Sequence, residues 1–242
     1  MSMPRGMEIA SVFHHKNDGE TMQRDAASAD TLFLTWLAFA GVLLFAAVLL
    51  WQYGVWRMLL DADPTGITMT IVAIFAVATL WCGRRSLWLC AERASMEGWR
   101  RGMRGRPHSH IDDYFRNLLA QQPADAGARG RLADVLAERL HGPNDGAWWV
   151  NGIQIKLGLL GKVIGFSILA IQISRLESFD PSQTQDLLKT LTGGLGIALL
   201  TTAVGLVANM LLGLQLTRLD RCADALLADA MQYAETALGQ AA

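Results

Sequence analysis

Four polar residues interrupt long apolar runs near the C-terminal half of this 242-residue chain: Lys162, Thr201, Thr202 and Asn209. Hydroxyls and amides inside hydrocarbon do one of two things. They relay an ion or proton along a hydrogen-bonded path, or they join helices by bonding to carbonyls. Lys162 follows Lys156 by six residues, so it sits about 9 Å deeper at the helical rise. A lysine at mid-membrane costs about 2.5–3.5 kcal/mol on insertion scales. Its stem either snorkels outward or its charge meets a partner. None of the apolar runs holds a carboxylate. A protonation cycle in these runs therefore needs a second protein to supply the acid.

Small residues accompany the polar ones. Gly158, Gly161 and Gly165 precede Gly194, Ala198 and Gly205. At 100° per residue, Gly194, Ala198, Thr202, Gly205 and Asn209 fall within a narrow stripe. In lipid, helices approach closely through small residues and interhelical hydrogen bonds. The stripe reads either as a packing face, with threonine hydroxyls bonded one turn back, or as a surface facing water or a partner.

The elements carrying these residues are apolar blocks. The chain is 52% hydrophobic and 18% charged, and residues 31–56, 66–83 and 190–217 contain no charge at all. Runs of that length predict membrane spans, which excludes an ordinary soluble enzyme or a disulfide scaffold. With a weaker run at 153–174, the pattern gives an all-α polytopic membrane protein with four transmembrane helices. The predicted order is a cytoplasmic leader (1–30), spans 31–56 and 66–83, a cytoplasmic helical segment (84–150), spans 153–174 and 190–217, and a cytoplasmic helical tail (218–242). Residues 57–65 read as a turn, because Asp61, Asp63 and Pro64 are turn formers. Residues 175–189 read as a short loop.

Charge sets the direction. The segment from Arg84 to Val150 has 11 arginines against 8 acids, while the two short loops hold three basic residues against five acids. Positive-inside counting puts both termini and the central segment in the cytoplasm. Trp36, Trp51, Trp56, Trp81, Trp88, Trp148 and Trp149 fall at predicted span ends, as interfacial belts do; Trp99 fits no belt. Cys82, Cys90 and Cys222 read as free thiols in a reducing compartment. Leu132, Val135, Leu136 and Leu140 make an apolar stripe. Leu216, Leu219, Ala223, Leu226, Ala230, Tyr233 and Ala237 follow a heptad seam, which predicts that the last span continues as one long helix. Its seam would pack on the helix after the second span or on another subunit.

Few other features suggest chemistry. His108, His110, Asp112 and Asp113 have metal-ligand residue types, but a solvated loop entering a helix, with Asp112 near its N-terminus, accounts for them better. Arg100, Arg101, Arg104 and Arg106 suit either anionic lipid headgroups or a solvated helix end. No phosphate loop, nucleophile elbow or zincin motif occurs, so neither an enzyme, a cofactor nor a metal is expected. The net charge of −1 gives no reason to expect nucleic acid.

The segments Gly158-Leu-Leu-Gly-Lys-Val-Ile-Gly165 and Ala198-Leu-Leu-Thr-Thr-Ala-Val-Gly-Leu206 resemble the paired signature of the MotA/TolQ/ExbB proton-channel family. The resemblance covers residues 153–217, and the four-span layout is similar to that of flagellar stators. It implies a bacterial inner-membrane subunit, five copies of which surround two helices of a MotB/TolR/ExbD-like single-span partner. That partner carries the ion-binding carboxylate. Thr202 matches the pore threonine, with Thr201 beside it. Lys162 occupies the other threonine position, and Ile197 stands where some members have an acid. The expectation is an ion-driven motor or energiser subunit. The alternative is a non-conducting membrane scaffold that keeps the ring fold.

Overall fold

The computed structural model describes residues 32–63, 65–102, 109–120, 126–174 and 181–238. The predicted leader, residues 175–180 of the predicted loop, and Arg104, Arg106 and His108 lie outside the described residues. Among the described residues the chain is helical throughout, without strands. Its elements are α1 (Leu32–Gln52), α2 (Val55–Ala62), α3 (Ile67–Arg100), α4 (His110–Ala120), α5 (Ala126–Ser174) and α6 (Pro181–Tyr233). A π-helical turn, Ala234–Leu238, ends the described chain. Four of these, α1, α3, α5 and α6, are long and apolar enough to cross a membrane.

The ends of the first two apolar blocks differ from expectation. Residues 55–62, read as the end of a span and a turn, form α2. Gly54 sits at φ 70°, a left-handed geometry that ends α1 and restarts the helix. The turn is shorter and is built around one carboxylate. Buried Asp63 accepts the Thr65 hydroxyl, the Thr65 N–H at 3.0 Å and the Thr68 N–H at 2.5 Å. It thereby satisfies an orphan donor in the first turn of α3. Burial alone raises the Asp63 carboxyl, but these bonds outweigh it and hold the group below its ordinary value.

Three helices, α3, α5 and α6, run well past the apolar blocks and meet α4 in one core. Phe115, Leu89, Met96, Leu136, Leu140, Leu216 and Leu226 belong to it. The expected seam of α6 is buried from Leu216 to Ala230, against the bundle of α3, α4 and α5. In α5, Leu136 and Leu140 point inward, whereas Val135 points out; Ala133 takes the inward place. Trp99 also has a place here: its ring packs 5.2 Å from that of Phe115 and its indole N–H donates to Asp112. Asp112 is accordingly buried and paired with Arg116 at 2.7 Å, not solvated as its sequence context suggests.

Two buried charges tie the bundle together. Glu92 of α3 accepts the Ser109 hydroxyl at 2.7 Å and the N–H groups of His110 and Ile111, capping α4 from a different helix. Arg85 reaches α5 one turn around Pro143, donating to Leu140 O at 2.6 Å and Asn144 Oδ1 at 3.2 Å. A proline inside a helix removes one backbone bond and costs about 3 kcal/mol. The guanidinium cross-link holds that turn in place. Asn144 passes the link to Asp220 of α6, which also accepts the Trp148 indole N–H.

Candidate functional site

The residues singled out by chemistry lie on α5 and α6, which form the most extensive helix pair in the molecule. Small residues let the two backbones touch. A Cβ added at Gly205 would stand 2.9 Å from Gln154 O, and one at Gly165 would stand 2.9 Å from both Ala198 N and Gly194 O. At Gly161 it would meet the Thr201 side chain, and at Gly158 the Thr201 carbonyl at 3.1 Å. Gly194 lies against Gly165 and Leu169. The six small residues named from the sequence therefore share one contact.

The polar residues divide around that contact. Thr201 is fully enclosed against Gly161, and its hydroxyl donates back to Ile197 O at 2.8 Å. Thr202 is half-buried on the flank. Its hydroxyl reaches Ala198 O at 2.8 Å and crosses to Gly158 O at 3.2 Å. Asn209, on the same flank, donates to Asn151 O at 2.8 Å. Lys162 is exposed, and among the described residues its ammonium meets only the Phe166 ring, 5.9 Å away. The structure thus brings Thr201, Thr202 and Asn209 against α5 but leaves Lys162 on another side of α5.

Two residues on this contact were not singled out from the sequence. Asn151 and Gln154 continue the three–four spacing of Gly158, Gly161 and Gly165 toward the N-terminus of α5. Both are buried, and both amide atoms of Gln154 and Oδ1 of Asn151 lack a partner among the described residues. The signal was present as spacing, but it lay hidden because asparagine and glutamine do not count as apolar.

The contact can hold two helices in fixed register and present a partly satisfied polar flank. No group of three or more metal-ligating side chains occurs among the described residues. Cys82, Cys90 and Cys222 form no disulfide with one another. No family model, curated protein or solved structure matches the chain.

Proposed function

We propose that this chain is the ring-forming subunit of an ion-driven motor or energiser complex in a bacterial inner membrane, with both termini in the cytoplasm. About five copies would surround a single-span partner resembling the MotB/TolR/ExbD class, and the partner's carboxylate would bind the ion. The observation that carries this reading is the register of α5 on α6. The two segments that resemble the MotA/TolQ/ExbB signature face one another residue for residue, Gly158 beside Thr202 and Gly165 beside Ala198. In this reading Thr201 belongs to the packing of the pair. Thr202 and Asn209, on the flank, contribute the hydroxyl and amide that face the partner.

A second reading is a scaffold with the same ring and no ion path. It is favoured by Lys162, an exposed cation where the resembling proteins have a threonine, because a fixed positive charge repels cations. Proton flux into inverted membrane vesicles containing the native complex separates the two. A motor gives uncoupler-sensitive flux, reduced at least tenfold in Thr202→Ala with the complex still assembled. Wild-type flux in Thr202→Ala removes the pore role, and no flux in wild type selects the scaffold. Lys162→Thr then reports on the plug: raised flux means the ammonium obstructs the path.

A further inference from the structure

Helices α3 and α6 lie side by side, and three side-chain bonds fix their register. Gln215 donates to Thr79, Arg93 pairs with Asp229, and the Tyr233 hydroxyl donates to Trp99 O. Both members of each pair advance together along the chain, so the two helices run parallel. The bonded residues stand 134–136 positions apart in sequence. Cys90 of α3 and Cys222 of α6 depart from that register by only two to four residues. They therefore sit within about 3–6 Å of the same height on the two helices.

The two thiols also share one flank of this helix pair. Cys90 precedes Arg93 by three residues and Cys222 precedes Asp229 by seven, so each lies on the face that carries one member of the ion pair. The Arg93 guanidinium donates to the Cys222 sulfur as well. Burial raises the Cys222 thiol above its ordinary value, the Arg93 charge lowers it, and the Cys90 thiol raises it again. The two sulfurs are thus near enough to act on one another. Both are half-buried, whereas Cys82 is fully enclosed.

We propose that Cys90 and Cys222 form a redox-responsive dithiol, which a peroxide converts into a disulfide tying α3 to α6. One thiol loses its proton and attacks a peroxide oxygen. The O–O bond breaks, leaving a sulfenic acid, and the departing hydroxide takes up the proton as water. The second thiol attacks the sulfenic sulfur, the S–O bond breaks, and a second water leaves. Two thiols give up two electrons and one peroxide accepts them. The guanidinium beside the sulfurs stabilises the thiolate that starts the sequence. Where thiols are kept reduced such a bond is transient, and exchange with a small thiol restores both cysteines. The pair forms within one chain, so it stands whether or not the assembly conducts ions.

The test treats the assembled protein, purified in mild detergent under reducing conditions, with hydrogen peroxide. The protein is then unfolded, its remaining thiols are blocked with maleimide, and its cysteine peptides are mapped by mass spectrometry. The expected product is one intrachain bond between Cys90 and Cys222, lighter than the reduced chain by two hydrogens and reversed by dithiothreitol. Cys82 is expected to carry the maleimide. Cys90→Ser and Cys222→Ser each lose the cross-link. Sulfinic acids at Cys90 and Cys222 without a disulfide overturn the proposal. A bond through Cys82, or one between chains in place of the intrachain bond, overturns it equally.

Discussion

The two halves of α6 solve the same packing problem with opposite residues. One buried stripe runs from residue 194 to residue 230: Gly194, Ala198, Thr201, Gly205, Ala208, Leu212, Leu216, Leu219, Ala223, Leu226 and Ala230. Its steps of three and four average the helical repeat, so it stays on one side of a straight helix. In the apolar half the stripe is glycine, alanine and threonine, while large side chains such as Leu199 and Met210 point out. From Leu212, near the end of the charge-free run, leucine enters the stripe, and Asp220 and Asp224 lie outside it. Hiding leucine gains nothing where the surroundings are hydrocarbon, so close backbone approach carries the pairing there. Against water, burying a leucine is worth about 1.5–3 kcal/mol.

That contrast can be broken most sharply at its tightest point. Gly205→Leu should cost more than about 3 kcal/mol, because the obstacle is the α5 backbone itself. Gly193→Leu meets nothing within 4 Å and should be near neutral. Thermal unfolding of both variants in detergent checks the pair. Next in size, Leu226→Ala, in the fully buried seam, should cost about 2–3 kcal/mol. Leu199→Ala, exposed in the apolar half, should cost under about 0.5 kcal/mol by the same measurement. Equal losses at these two leucines would erase the distinction between the halves.

A smaller effect belongs to the bonds between them. Asn144→Ala removes the link from Arg85 to Asp220 and leaves a buried guanidinium short of one acceptor. About 1–2 kcal/mol should be lost, and hydrogen exchange should speed up around Pro143. The smallest lies at the turn before α3. The Asp63 carboxyl is held below its ordinary value of 3.8, so its contribution is complete above that value and fades as pH falls through the folded value. Asp63→Asn should cost about 1 kcal/mol at neutral pH. It should also flatten the acid limb of a stability–pH curve below pH 4.

The sequence made the apolar blocks and the leucine seam plain, because both are patterns of residue type. The glycine spacing showed the approach of the two helices, although the centre of the contact is Thr201 and not Thr202. The two differ by 100° on the helix, and no apolar neighbour marks which is inside. Asn151, Gln154, Asn144, Arg85 and Glu92 were illegible as core residues, since their burial depends on partners supplied by other helices. Pro143 lies inside α5, flanked by the Arg85 bonds to Leu140 O and Asn144 Oδ1 that no local pattern announces. Gly54 ended a helix inside an uncharged run, where hydropathy alone is silent.

Helix α6 holds its course for 53 residues, about 80 Å at the helical rise, with no glycine after Gly213 and no proline after Pro181. Such a rod has no universal joint. The packed face at Gly194 and the packed face at Ala230 are thus parts of one unbroken element lying on α5. A rotation of one end about the helix axis would therefore have no glycine or proline hinge to absorb it beyond Gly213.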